Sequence, residues 1–566
     1  MSNMKKLPIL LLALLLVSSL ILSACTDDTE TTTSQTSTTA QSTTTTTTTT
    51  SSVATTSQST PTVSPIQNPA MANLNDPIPP EGTPEYGGIL RRLESMFPRT
   101  LGYPPDFGTG EGGISAYCLE RLNQWDEHGN LIGVLAESWE GDPEAMTVTW
   151  HLRKGIKFTD GTDFNASVLK WNFERQIPSG RLTDGKKITS LNVLDDYTLE
   201  LQLSDYNIMM FQNYGAIQIA SQAAFENAGD TEEERIAWAR MNPVGTGPFT
   251  LVDFQRDTLI KWERNPNYWR PGMPYYDGIY EYYISDSMTA SAKMRAGEAD
   301  LWALPSTQDA KALENIGFKV NWGVGLGMIL GMNSSDPDSP YAIQKVREAV
   351  EYAINRPTLA NMLGQGTYEP LTQLAGKNFP GYNAGYDPRA YNPEKAKQLL
   401  AEAGFSSGFK TKITTSQDFV DSATIIQGYL KAVGIDAAVD VADSGRYLTE
   451  AFGTGWSDLI LTMYGVNPDS TDLFVHFGTN PMTFRSGTIA KSQQFLDMCE
   501  DAIHTYDATE LIAKEKAIVK QASEDAMVVP LYITTGAFVM APYVHSSVGF
   551  VSLIQWNTYH EWMDQD

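Results

Sequence analysis

Cysteine is nearly absent: three occur in 566 residues, Cys25, Cys118 and Cys499. That count excludes a disulfide-built scaffold. Histidine is equally scarce, with six residues scattered along the chain. No His-x3-His pair and no Cys-His cluster at zinc spacing occurs, so the sequence offers no metal site of those kinds. No Gly-x4-Gly-Lys-Ser/Thr loop is present, so any ATP hydrolysis belongs to another subunit. Basic residues are outnumbered 40 to 67, a formal charge of −27. Such a surface repels phosphate backbones and anionic lipid, which argues against nucleic-acid binding and against lying on a membrane. Long apolar runs are missing too, with one exception at the N-terminus.

That exception sets the expected compartment. Lys5 and Lys6 precede an apolar run from Leu7 to Leu22, which stops at Leu22-Ser23-Ala24-Cys25. The run is short for a spanning helix and has the charged, apolar, small-residue layout of an export signal. A thiol directly after small residues can take a thioether-linked lipid and become the new N-terminus. Leu-Ser-Ala-Cys resembles the bacterial lipobox, and the resemblance implies residues 1–25 as signal ending at a lipidated Cys25. Cleavage removes Lys5 and Lys6, leaving −27 − 2 = −29. The expected location is extracytoplasmic, at the outer face of the cell membrane or in the periplasm, held only by the lipid.

Residues 26–83 read as a tether. From about Thr29 to Pro65 the chain is almost all Thr and Ser, with Thr43 to Thr50 unbroken. Such a segment has no apolar surface to offset the entropy of ordering it. A flexible chain of this length spans roughly 40 Å. The residues after Pro84 suffice for two or three domains with sizeable cores. With Cys25 assigned to lipid, Cys118 and Cys499 are left either to pair or to remain buried thiols.

Periodicity indicates mixed α and β throughout. Thr147–Leu152 and Tyr197–Leu203 alternate as strands, the second led in by Asp195-Asp196. Ser339-Pro340 predicts a helix start, with Ile343, Val346, Val350 and Ile354 on one face. Asn392-Pro393 opens another helix that Gly404 closes. Gly245-Thr246-Gly247-Pro248 is a turn cluster at a candidate domain boundary.

Five sequence blocks in order carry a family likeness. The first runs from Leu135-Ala136-Glu137-Ser138-Trp139 through Thr149–Phe158, Asp160-Gly161-Thr162 and Phe164-Asn165-Ala166. Asn242–Phe249 with Arg264–Trp269 follows, then Val346–Val350 through Asn355-Arg356. Tyr391–Ala396 is the fourth, and Asp525-Ala526 before Val529–Tyr532 the last. Together they resemble the family 5 extracellular solute-binding proteins, receptors of ABC importers for oligopeptides, dipeptides and nickel. The resemblance implies an α/β, periplasmic-binding-protein-like fold of the large three-domain type: two lobes of mixed sheets flanked by helices, around a cleft. Its domain I would be built from 84–111, 245–324 and 529–566, domain II from 112–244, and domain III from 325–528. It also implies a monomer, no cofactor, and permease subunits with their ATPases as partners. Trp139, Phe158 and Trp269 read as core rather than ligand platforms.

In the peptide receptors of that family, a strand of the third domain leads into a loop carrying an Arg, a Trp, and an Asp that holds the ligand's ammonium group. The corresponding stretch is Ile460–Asp469, with Ile460, Met463 and Val466 at those three positions. A register change would bring Asp469 or Asp472 into play. The candidate ligand-binding residues are therefore Met463, Tyr464, Gly465, Val466, Asn467 and Asp469. Tyr464, Asn467 and Asp469 are the polar ones, and His476 is a further candidate contact. The bland alternative is that Asn467-Pro468-Asp469-Ser470 is merely a turn.

Catalytic motifs fail on context. Gly404-Phe405-Ser406-Ser407-Gly408 has the letters of a nucleophile elbow, but a helix precedes it where a strand is required. Ser167-Val168-Leu169-Lys170 lacks companion motifs. The chain reads as a receptor of a peptide-sized solute and not an enzyme. A secreted hydrolase or a sensory binding protein on the same scaffold is the alternative, and the hydrolase lacks an activated nucleophile.

Overall fold

The computed structural model describes residues 66–67, 82–107, 111–126, 131–465, 477–478, 487–546 and 558–565. These belong to one compact unit, residues 63–566. Cys25 and the Thr/Ser segment that begins at Thr29 lie outside the described residues.

An eleven-stranded sheet organises the fold. Along it run Ile435–Val441, Phe409–Thr415, Leu459–Tyr464, Lys319–Met332, Val528–Met540, Leu301–Ala303, Ile89–Glu94, Gly278–Tyr283, Leu259–Arg264 and Phe249–Gln255. The short strand Glu369–Pro370 pairs off this path with Val528–Met540. Two strands in the middle are much longer than their neighbours. Lys319–Met332 has 14 residues and Val528–Met540 has 13, and they pair antiparallel along most of their length. The 535–540 stretch lies between 319–324 and the 301–303 strand, whereas 327–332 lies against Leu459–Tyr464. The backbone therefore passes from one half of the sheet to the other through these two strands.

The pairing slips where the halves meet. Val324 opposes Thr535 and Gly327 opposes Ile533, so Gly325 and Leu326 face Thr534 alone. A bulge of this kind bends a strand and sharpens its twist. Thr534 fastens it: its Oγ1 accepts from Leu326 N at 2.8 Å and donates to Leu326 O at 3.2 Å. A Cβ on Gly325 would come 2.3 Å from that oxygen, so only glycine fits the approach.

Separate apolar cores fill the two halves. Leu90, Phe249, Trp262 and Phe538 anchor one, and Met328, Val346, Ile413 and Leu461 anchor another. A further core from Leu122 to Ile219 packs on a five-stranded sheet that includes Ala136–Asp142, Thr147–Leu152 and Thr198–Leu203. Trp139 and Phe158 are buried there, while Trp269 is half-buried at its edge. Loop 205–208 of this region meets residues 503–506. Ile208 N donates to Ile503 O, and Tyr506 Oη donates to Tyr206 O.

Local readings mostly agree with the structure, with one shift. Ser339 caps a 3-10 turn, Pro340–Ala342, and the α-helix begins only at Gln344. Ile343 is extended and exposed between them, so the buried face starts at Val346. Asn392 caps Pro393–Glu402 as its sequence implies, and Gly404 follows at φ +91°. The strand Phe409–Thr415 comes after Gly404-Phe405-Ser406-Ser407-Gly408, the reverse of an elbow. Cys118 and Cys499 are both buried free thiols, and no disulfide joins them. Burial pushes each thiol up to about 12, which disfavours the reactive thiolate at both.

Candidate ligand-binding site

The site strand Leu459–Tyr464 is held on both edges. It pairs antiparallel with 327–332 and parallel with Ile413 and Thr414. Leu459, Ile460 and Leu461 are fully buried, so the strand is fixed by packing on both faces before it reaches the candidate residues. Ile460 packs in the apolar cluster with Trp456 and Met527 rather than facing a polar site.

Met463 is half-buried and Tyr464 is 3% exposed. The Tyr464 hydroxyl donates to the Leu374 carbonyl at 3.0 Å, and its ring meets Phe477 edge-on at 6.1 Å between centroids. Opposite, Gly327 has no side chain. A Cβ there would stand 2.3 Å from Tyr464 Cε1, so the ring occupies the space that glycine vacates. Tyr464 is thus built into the core beneath the strand end, with its polar tip satisfied. Gly465 follows, half-buried. Val466, Asn467 and Asp469, together with Asp472 and His476, lie outside the described residues. The structure places Met463 and Tyr464 at the end of the strand, with Gly465 directly after it.

One polar cluster was not singled out by sequence reading. Glu120 is buried, and its carboxylate accepts from Thr246 Oγ1 at 2.7 Å, Tyr268 Oη at 2.8 Å and Trp269 Nε1 at 2.7 Å. Burial pushes its pKa above the ordinary carboxylate value, against the three donors. Arg270 stacks on Trp269 and Tyr559 alongside. The order of the Gly-Thr-Gly-Pro and Asn-Tyr-Trp blocks was the only available signal, because their shared partner lies more than 120 residues upstream. The cluster ties separated segments together at the root of the fold.

Among the described residues, no group of three or more His, Cys, Asp or Glu is placed to hold a metal. No helix there is long and apolar enough to cross a membrane.

Residues 130–482 match the model of the bacterial extracellular solute-binding proteins, family 5. The chain belongs to that family. It is 30% identical over 433 residues to the glutathione-binding protein GsiB of Escherichia coli (strain K12), covering 72% of this chain and 81% of the relative. The GsiB of Shigella boydii serotype 4 matches to the same extent. Among solved structures, the ABC transporter-associated periplasmic binding protein DppA from Helicobacter pylori, in complex with the peptide STSA, superimposes with a TM-score of 0.73. Identity there is 23%, over 85% of this chain and 99% of that one. The oligopeptide-binding protein AppA from Bacillus subtilis, in complex with a nonapeptide, gives 0.70 at 21% identity over 85% and 100%. The fold is that of the periplasmic binding proteins. The family members and the matched proteins are binding proteins, not enzymes, and they act outside the cytoplasm. This chain is an extracytoplasmic solute-binding protein.

Proposed function

We propose that this protein is the substrate-binding subunit of an ABC importer, capturing a peptide-sized solute between two lobes and presenting it to the membrane permease. The observation that carries the reading is the pair of long strands. A family 5 receptor must bend between lobes, and Lys319–Met332 and Val528–Met540 join the two halves of the sheet through a bulge at Gly325-Leu326. In this reading domain I takes 84–111, 245–324 and 529–566, domain II 112–244, and domain III 325–528. Ligand binding shifts an open-closed equilibrium by the extra affinity of the closed form. The chain performs no chemistry of its own and acts as a monomer with permease and ATPase subunits.

In this reading the ligand contacts are Met463, Gly465 and Val466 as wall and Asn467 and Asp469 as polar groups, with Tyr464 fixed in the core at the end of the strand. Cys25 carries the lipid, and residues 26–83 hold the folded body off the membrane. Relatives named for glutathione and structures named for peptide complexes support a peptide-sized solute.

Native mass spectrometry of the purified protein tests this reading. A co-purifying peptide-sized solute supports it, and hydrolysis of a bound peptide during incubation contradicts it.

A further inference from the structure

Among the described residues, the buried arginines Arg92, Arg347, Arg356 and Arg389 each have a carboxylate or carbonyl partner, even where one nitrogen is left over, as at Arg92 Nε and Arg356 Nη1. Arg347 donates to the carbonyls of Ala526, Asp525, Tyr341 and Ala342 at 2.8–3.1 Å. Arg389 is paired with Glu351 at 3.4 Å and with the Ser523 carbonyl at 2.6 Å, and Arg356 with Asp387 at 3.3 Å. Arg92 pairs with Glu94 and donates to Tyr117 Oη at 2.7 Å. Arg121 differs. Its Nε is buried with no partner, and its side chain has no ion pair or hydrogen bond among the described residues. Burial lowers its pKa and no neighbouring charge opposes that shift, although the guanidinium stays charged at neutral pH.

An unmatched cation out of water costs stability unless something repays it. The surroundings show where a partner fits. Arg121 opposes Gln218 in an isolated bridge, and Gln218 Nε2 donates to the carbonyls of Gly112 and Leu119, both at 3.1 Å. A Cβ built on Gly112 would meet only Gln218 Oε1 at 3.1 Å and Arg121 Nη2 at 3.7 Å within 4 Å. Gln218 Oε1 and Arg121 Nη2 thus converge over a bare glycine, and of the two only the guanidinium can donate to an incoming anion. Glu111 next door is engaged by Arg99 at 2.9 Å. Arg121 keeps part of its surface open. It lies where the chain leaves the core of Tyr117 and Leu119 for that of Leu122, in the half of the fold opposite the site strand.

We propose that Arg121 is the anion-binding residue of the solute cleft, receiving a carboxylate of the solute on its guanidinium beside Gly112. A planar guanidinium matches the two oxygens of a carboxylate and forms charge-assisted bonds to both. The inference rests on the receptor reading and adds that the solute is an acid.

The test uses calorimetry with N-acetylated Ser-Thr-Ser-Ala, as free acid and as C-terminal amide, so that no free amine enters the comparison. Wild type should bind the free acid at least about tenfold more tightly than the amide. Arg121→Gln should weaken acid binding by roughly thirtyfold or more and leave the amide little changed, while Arg121→Lys should retain part of the preference. Gly112→Ala should weaken acid binding with Arg121 intact, because its methyl fills the same space. Without solute, Arg121→Met should melt no lower than wild type, since it removes an unrepaid desolvation cost. A clear fall in the ligand-free Tm of Arg121→Met would overturn the inference and make Arg121 a structural anchor. So would equal binding of acid and amide by wild type, or an unchanged preference in Arg121→Gln. Binding of none of these probes also counts against it, while compaction by a co-purified solute would leave the receptor reading standing.

Discussion

His504 Nε2 lies 3.1 Å from Asp205 Oδ1 and joins the 122–219 region to the helical segment around residues 493–524. Lys187 shares Asp205 at 2.6 Å, and His504 Nδ1 meets the Glu500 carbonyl at 2.8 Å. Asp184 also faces Lys187 at 3.4 Å. Despite partial burial, hydrogen bonds to Glu500 and Asp205 raise the His504 pKa above its ordinary 6.5.

A raised histidine binds its proton more tightly when folded. Its stabilisation is therefore fully present below about pH 6.5 and is lost as pH rises through the higher folded-state value. Asp205 is held low and keeps its charge across that range. The side chains are about one-third exposed, so the contribution should stay below about 1 kcal/mol. Thermal melts of wild type and His504→Gln should differ most near pH 6 and converge above pH 8. A difference that grows with pH would contradict this account.

Tyr464→Ala removes a buried ring that Gly327 was shaped to receive, and should cost about 3–5 kcal/mol. Tyr464→Phe should cost about 1 kcal/mol by leaving the Leu374 carbonyl without its donor. Denaturant unfolding of the solute-free protein measures both. An unchanged midpoint for Tyr464→Ala would show that the ring is not a core element.

Glu120→Ala should strand three buried donors, Thr246, Tyr268 and Trp269, at a cost of about 3 kcal/mol or more. Glu120→Gln keeps the shape and an acceptor, and should cost less. The same unfolding measurement decides, and equal effects from the two variants would contradict the hydrogen-bond account.

Part of this was legible in the sequence. The strands at Thr147–Leu152 and Thr198–Leu203, and the capped helix at Pro393–Glu402, follow from local alternation and capping. The ordered blocks carried the family. The packing of Tyr464 was not legible, because its partners Leu374 and Gly327 are about 90 and 137 residues away. Arg121 gave no signal at all: an unpaired arginine is recognised only when every neighbour is in place. The same holds for the bulge at Gly325-Leu326, since its partner Thr534 lies 208 residues beyond Leu326.

Cys25→Ser should release the protein from membranes into the medium or periplasm, because lipid attachment needs the thiol. Fractionation without detergent, followed by immunoblotting, measures this. Equal membrane retention of the variant would contradict the anchor.

If Val466 stands where peptide receptors hold an ammonium group, free-amine peptides lose a buried charge partner. The loss is about 3–5 kcal/mol, or a few hundredfold or more in affinity. A thermal-shift screen should then favour N-acetylated over free peptides. Stabilisation by free peptides that disappears on acetylation would instead point to Asp469 or Asp472 as the ammonium partner.

The central claim is that two halves close on a solute about the bulge at Gly325-Leu326. Solution scattering of the protein, with and without the solute identified by native mass spectrometry, tests it most directly. The radius of gyration should fall on binding, and a Gly325→Val variant, whose side chain collides with Thr534, should blunt the change. Micromolar binding with no compaction would contradict the claim.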